Sequence, residues 1–328
     1  MDVARCGRGL QHAIMRLELI NRLRILSRRF FPRLPVVGKW FARGFRTREA
    51  RFLRKQKIAA VRGMRDTARA WNKRIADVLA APDNADIPRV PDAGRVVGND
   101  IIMHNGLRIA YGSYGTTDTK YVMRLLEKNG GVHEPQEEKI FQQVAKLMPG
   151  GAVMVELGAF WAFYSLWFAS RVKGARCILV EPVWANLNAG RLNFAINGLQ
   201  ATFINGFAGA RYRREPFQSA TLSVDWLMAR FALDKIHLLH SDIQGFELEM
   251  LDGAEKPVRD GKIDWIFIST HSSELHECCR DWLLSRSWVL AADANLNESY
   301  SVDGLLVAHR PGLNVPLLQP ITRKPSGR

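Results

Sequence analysis

Residues 153–162 read V-M-V-E-L-G-A-F-W-A, and residues 178–182 read I-L-V-E-P. Two short apolar runs of β type each lead into a glutamate, Glu156 and Glu181. The stretch between them has the length of one crossover helix. Strand, glycine turn, helix and second strand together form the unit that holds a nucleoside-type ligand in a doubly wound α/β fold. Gly158 lets the chain turn tightly off the first strand and brings backbone N–H groups close to a ligand. Glu181, at the tip of the second strand, is placed to accept both ribose hydroxyl protons. Both acids fall at strand tips, where a purely structural charge has little reason to be. The competing reading is a buried strand and its turn with no ligand.

A dinucleotide requires G-x-G-x-x-G, because its pyrophosphate sits on bare backbone at a helix N-terminus. Counted from Gly158, the second and third glycine positions fall on Phe160 and Phe163. Neither leaves room for a pyrophosphate. A cofactor with one nucleoside and no phosphate, such as S-adenosyl-L-methionine, needs only the first close approach.

The chain has 328 residues, a net charge of +15 and the composition of an ordinary globular protein. The charge is unevenly placed. Residues 1–90 carry 22 Lys/Arg against 7 Asp/Glu, whereas residues 91–328 carry 25 of each. A catalytic groove for long nucleic acids would have a basic footprint of its own, so nucleic acid is a weaker partner than a small molecule or glycan. Cys6, Cys177, Cys278 and Cys279 lack zinc-site spacing and are too few for a disulfide framework. No apolar run approaches the ~18 residues of a membrane helix, nor is there a long apolar core of the secretory kind. The expected location is cytoplasmic.

Residues 10–80 look helical but irregular, with prolines at 32 and 35 breaking the first helix. Trp40, Phe41, Phe45 and Phe52 lie among Arg43, Arg46, Arg48 and Arg51. Basic and aromatic residues interleaved in this way suit an anionic surface, such as the inner face of a membrane, or a nucleic acid. A solvated arm that packs on a partner protein is the blander reading. Residues 81–94 are rich in Pro, Asp and Ala and read as a linker. The domain reading is therefore a basic helical segment and linker at 1–98, a catalytic domain at 99–312 and a tail at 313–328.

Two strand-like runs flank the turn His104-Asn105-Gly106, and an amphipathic helix follows through Ile140, Phe141, Val144 and Leu147. Strands are then expected near 153–157, 177–181, 201–205, 236–241, 264–269, 288–293 and 304–309. Helices are expected near 161–172, 185–197, 222–231, 244–254 and 273–286. Such alternation predicts a mostly parallel sheet with helices on both faces. The short connection between the last two strands makes that pair antiparallel.

A second informative block, 238–254, reads L-L-H-S-D-I-Q-G-F-E-L-E-M-L-D-G-A. Ligands in an open α/β sheet sit beyond the carboxyl ends of the strands, which places Asp242 beside the same crevice as Glu156 and Glu181. Its simpler role is a helix N-cap. With these pieces assembled, the chain resembles the FkbM family of S-adenosylmethionine-dependent methyltransferases over roughly 100–310. The matching stretches are H-E-P-Q-E-E at 133–138, E-L-G-A at 156–159, V-E-P at 180–182, S-V-D-W-L at 223–227 and D-I-Q-G-F-E-L-E at 242–249. The family's D-x-G-A-N-x-G is E-L-G-A-F-W-A here, and Gln244 replaces a Glu. The resemblance implies a class I methyltransferase (Rossmann-like) fold, with a seven-stranded, mostly parallel sheet. It also implies O-methylation of a carbohydrate or small metabolite. The residues expected to hold the cofactor are Glu134, Glu156, Gly158, Ala159, Phe160, Glu181 and Asp242.

A hydroxyl is a poor nucleophile until it loses its proton, so a base is expected within hydrogen-bond reach. His271 follows the strand I-D-W-I-F-I-S-T and should project next to Asp242, making His271 and Asp242 the candidate catalytic pair. A divalent metal on the same two residues lacks a clear third ligand, so no metal site is assigned. Phe160, Trp161, Tyr164 and Trp184 are candidate aromatic walls for a sulfonium, or else core. His240 shares the strand parity of Asp242 and reads as a core histidine. Two further readings compete with the enzyme: an RNA-associated methyltransferase delivered by its basic arm, and a non-catalytic interaction module that kept the fold.

Overall fold

The computed structural model describes residues 68–113, 119–214 and 219–325. The basic, aromatic run at 40–54 and most of the helical segment expected over 10–80 lie outside them. A helix (α1) runs through residues 68–80, followed by a 3-10 turn at Pro82–Asp86. Strands β1 (Val96–Val97), β2 (Asp100–Ile102) and β3 (Arg108–Ala110) make a small antiparallel sheet. Helices α2 (Thr119–Lys128) and α3 (Pro135–Lys146) lead to the main sheet. Next come β4 (Val153–Leu157), α4 (Phe163–Arg171), β5 (Arg176–Glu181), α5 (Trp184–Ile196) and β6 (Thr202–Ala208). They are followed by β7 (Ala220–Leu222), α6 (Val224–Arg230), β8 (Ile236–Ser241), α7 (Glu247–Asp252) and α8 (Glu255–Arg259). The last elements are β9 (Ile263–Thr270), α9 (Ser273–Leu284), β10 (Val289–Ala294) and β11 (Gly304–His309).

The main sheet runs in the order β10-β11-β9-β8-β4-β5-β6-β7. Every pair from β9 to β7 is parallel, and β11 lies antiparallel to both β9 and β10. This is the Rossmann-like arrangement of class I methyltransferases, with one strand more than the seven expected. The added strand, β7, is only three residues long and extends the edge beside β6.

The central strands are apolar throughout because both faces are covered. Side chains of a strand alternate between faces. Met154, Leu179, Leu238 and Phe267 pack with Phe141, Phe163 and Trp167 of α3 and α4. Val155, Ile178, Leu239 and Ile266 pack with Leu227, Met250 and Leu283 of α6, α7 and α9. The same alternation puts Glu156 of β4, aligned with His240 of β8, on the face covered by α3 and α4. Glu156 and His240 therefore share one face of the sheet toward its carboxyl edge.

The stretch 81–94 does not run free as a linker. Asp83 is fully buried, and its carboxylate meets Lys139 Nζ at 3.1 Å and the Thr322 N–H at 3.0 Å. The segment expected to be a tail lies along the same unit, residues 68–328. Leu313, Val315, Leu318 and Ile321 pack on the core, and Gln136 and Gln143 of α3 hold the carbonyls of Thr322 and Gln319. The small sheet is sealed by amides: Asn193 and Asn197 accept the N–H groups of Ala110 and Arg108, each at 3.0 Å.

Candidate active site

The loop after β4 sets the geometry of the carboxyl edge. Gly158 has φ +76, and a Cβ there would stand 1.7 Å from the Asp242 carbonyl oxygen. Glycine is required because the ends of β4 and β8 touch: the Asp242 N–H donates to the Leu157 carbonyl at 2.9 Å. The loop's N–H groups turn toward β5. Those of Gly158 and Ala159 donate to the Val180 carbonyl at 2.9 and 3.0 Å, and that of Phe160 donates to Glu181 Oε2 at 3.0 Å. A backbone committed in this way cannot cradle a phosphate, which agrees with the absence of a G-x-G-x-x-G run. Phe160 and Ala162 both sit at positive φ, 45 and 66, where a non-glycine residue is strained.

Glu181 differs from expectation. It is 4% exposed, and besides Phe160 it accepts the Val183 N–H at 2.9 Å and Asn186 Nδ2 at 3.2 Å. Three of the roughly four acceptor positions of a carboxylate are filled, so it cannot take two ribose hydroxyls as well. Burial raises its pKa, with the two backbone N–H groups working against that. Glu156 likewise has a local partner, the Ser165 N–H in the first turn of α4, at 3.2 Å. Ala162 offers that helix no side-chain cap, and the buried carboxylate substitutes for one. Burial lifts Glu156 to about 7. Strand-tip charge thus has structural uses that periodicity alone does not reveal.

A cleft of about 440 Å³, counting its open mouth, lies over this loop. Glu134, Glu156, Gly158, Ala159, Phe160 and Asp242 line it, joined by Trp161 and Tyr164. Six of the seven residues expected to bind a cofactor are therefore brought together; Glu181 stands behind the loop. Trp184 is 57% exposed and does not line the cleft.

The H-E-P-Q-E-E stretch organises one wall. Pro135 opens α3, and Glu138, fully buried, accepts the N–H groups of His133 and Glu134 at 2.8 and 3.0 Å. His133 bridges Glu138 (2.7 Å) and Glu134 (3.2 Å). Burial opposes charge on His133, but the charges of Glu134 and Glu138 and their hydrogen bonds prevail and lift it to about 10. Glu134 also accepts the Tyr164 hydroxyl at 3.0 Å and pairs with Arg74 at 3.4 Å. Burial would raise Glu134; the His133 charge and hydrogen bond, then Arg74, hold it at about 2.

On the other side, His271 is next to Asp242 as expected, with Nε2 3.1 Å from Asp242 Oδ1. Its Nδ1 meets Glu247 at 2.9 Å, and Asp303 lies 3.4 Å from Nε2. Burial lowers its pKa, but the hydrogen bonds to Asp242 and Glu247 and the charges of Asp242 and Asp303 raise it to about 10. Gln244 Nε2 also lies 2.7 Å from His271 Nε2. These surroundings favour the charged ring, which stands among the carboxyl groups of Asp242, Glu247 and Asp303. Asp242 caps no helix: Phe246 holds the N-cap position of α7, and Glu247 accepts the N–H groups of Ile243 and Gly245.

Sequence reasoning passed over Glu137 and Asp303 and set His240 aside as core. Glu137 Oε1 is 2.6 Å from His240 Nε2, and its Oε2 accepts the Ser269 hydroxyl at 3.2 Å. The available signal was the spacing Glu134, Glu137, Glu138, Phe141, which puts all four on one side of α3. Asp303 has no local signature. No three His, Cys, Asp or Glu among the described residues could hold a metal ion.

No protein-family model matches the chain, and no curated protein does. Among solved structures it is similar to an rRNA methylase from Streptococcus thermophilus (10% identity, 53% of this chain, 96% of that one, TM-score 0.41). It is also similar to precorrin-6y C5,15-methyltransferase from Geobacter metallireducens (13%, 53% and 88%, TM-score 0.38). TrmK from M. capricolum, solved with S-adenosyl-homocysteine, gives 15%, 52% and 68%, and a TM-score of 0.37.

The cleft suits a cofactor of the sulfonium type. The carboxyl oxygens of Glu134, Glu156 and Asp242 line it, and Phe160, Trp161 and Tyr164 supply aromatic surface, both favourable to a cation. The loop offers nothing to a phosphate.

Proposed function

We propose that the protein is an S-adenosyl-L-methionine-dependent methyltransferase and that its FkbM-like motifs mark the cofactor site. The observation that carries this reading is the cleft itself, at the carboxyl ends of β4 and β8. It combines carboxylates with aromatic rings and lacks available loop N–H groups. Glu156, Gly158, Ala159, Phe160 and Asp242 would hold the cofactor, with Glu134 across from them. When bound, the cofactor supplies a methyl carbon on a positively charged sulfur. The chain's own share is to position an acceptor in line behind that carbon, exclude water and accept a proton.

A second reading, an RNA acceptor, draws on the basic segment. Residues 1–67 hold 18 Lys/Arg against 4 Asp/Glu. The acid-lined cleft opposes it, because a polyanion gains nothing from carboxylates at the reacting end. Calorimetry of the full chain with S-adenosylmethionine and S-adenosylhomocysteine tests the proposal. Saturable binding is expected, about tenfold weaker for Asp242→Ala. An absence of binding heat with either compound would leave only the scaffold reading.

A further inference from the structure

The main cleft has a smaller neighbour. A pocket of about 230 Å³, counting the open space at its mouth, is lined by Glu134, Gln136, Glu137, Ser269, Ser301 and Asp303, among others. Glu134 and Ser269 line both spaces. Glu137 faces the small pocket, His240 faces the large one, and the two side chains meet at 2.6 Å. The pair thus stands where the two spaces adjoin.

His240 is 3% exposed and held between rings, with centroids 4.6 Å from Tyr164 and 6.2 Å from Phe267. Its Nε2 is taken by Glu137, while its Nδ1 is buried and has no hydrogen-bond partner among the described residues. An unpaired ring nitrogen in such a place costs stability. Tight packing alone does not require it. A histidine whose one nitrogen is bonded to a carboxylate presents the other as a proton acceptor, so the pair has the form of an oriented acid–base couple. The groups facing it are Glu134 just before α3, Tyr164 on α4, Glu156 on β4 and Asp242 after β8.

Building on the proposed function, we infer that the small pocket receives the hydroxyl of the methyl acceptor and that Glu137–His240 takes its proton. The acceptor oxygen bonds to the methyl carbon as the carbon–sulfur bond opens. The bonding electron pair stays on sulfur, which becomes a neutral thioether. The hydroxyl proton passes to Glu137 Oε2, directly or through Ser269 Oγ, while the Nε2–H of His240 keeps its hydrogen bond to Oε1 and steadies the carboxyl group. Glu137 touches the acceptor, and His240 positions it and tunes its proton affinity.

The test uses the full chain. Tritiated methyl transfer from S-adenosylmethionine to a methyl glycoside, a simple phenol and bulk tRNA identifies a working acceptor. On it, Glu137→Gln and His240→Gln should lower kcat at least a hundredfold, with donor affinity by calorimetry changed less than about threefold. Ser269→Ala, which is expected to keep the fold, should lower kcat about tenfold and shift the acidic limb of its pH profile. In free protein, ¹⁵N-histidine NMR should show His240 Nδ1 unprotonated when the ring is neutral, and Glu137→Gln should move its titration. Wild-type kcat with an unshifted limb in Glu137→Gln and Ser269→Ala would overturn the assignment. So would donor binding with no transfer to any hydroxyl of the three acceptors. Failure to bind the donor at all would instead sink the methyltransferase reading beneath it.

Discussion

Replacing Gly158 with alanine should be among the costliest single-atom additions to this chain. The new Cβ would stand 1.7 Å from the Asp242 carbonyl oxygen and 2.7 Å from its carbon. Both are backbone atoms at the end of a buried strand, so no rotamer change relieves the collision. Alanine at φ +76 costs about 1–2 kcal/mol in its own right. Separating the tips of β4 and β8 adds overpacking strain of about 1–3 kcal/mol. Loss of the 2.9 Å Asp242-to-Leu157 hydrogen bond adds about 1 kcal/mol. The total is about 3–6 kcal/mol, a fall in Tm of roughly 6–15 °C for a unit of this size. Gly151→Ala is the control, because Gly151 has φ +77 and nothing within 4 Å of its added Cβ. It should lose only the conformational part, about 2–5 °C. Scanning calorimetry or circular dichroism of the two variants decides the matter. Equal losses would show that Gly158 is there only for its backbone angle and that the β4–β8 contact is not the reason.

The imidazolium of His271 makes a pH prediction. Its folded pKa, about 10, exceeds the unfolded value of about 6.5, so its stabilisation is complete below 6.5 and lost as pH rises through 10. His271→Asn should therefore cost roughly 3 kcal/mol at pH 6 and progressively less toward pH 10, read by urea unfolding across that range. A gap that stays constant with pH would mean the ring is neutral throughout. Asp83→Ala should remove the anchor of Lys139 and Thr322 at a cost of about 3 kcal/mol. Trypsin should then cut after Arg323 well before the core unfolds; unchanged cleavage there would show that Gln136 and Gln143 hold the strand of chain unaided.

The alternation of apolar runs and turn signals was enough to place the main strands, because strands buried on both faces read as continuous apolar stretches. Ala220–Leu222 was missed because three residues carry no periodicity. Residues 81–94 misled because proline and aspartate look alike whether solvated or packed. The partner that buries Asp83 is Thr322, 239 positions away. The site divides the same way. Glu156 and Glu181 were legible as strand-tip acids, but the N–H groups that claim them depend on the loop's path toward β5. The proton state of His271 depends on Asp242, Glu247 and Asp303 converging from separate segments, which no local pattern announces. Glu137 and His240 meet across 103 residues through the packing of α3 on β8.

The anchoring of Thr322 on Asp83 has a topological consequence. Lys324 also reaches Asp77 of α1 at 2.8 Å, so the described stretch returns to where it started and forms a nearly closed ring of chain. A rewired gene that joins residue 325 to residue 68 through a few glycines and opens instead at Asn197-Gly198, after α5, should encode the same architecture in a new order.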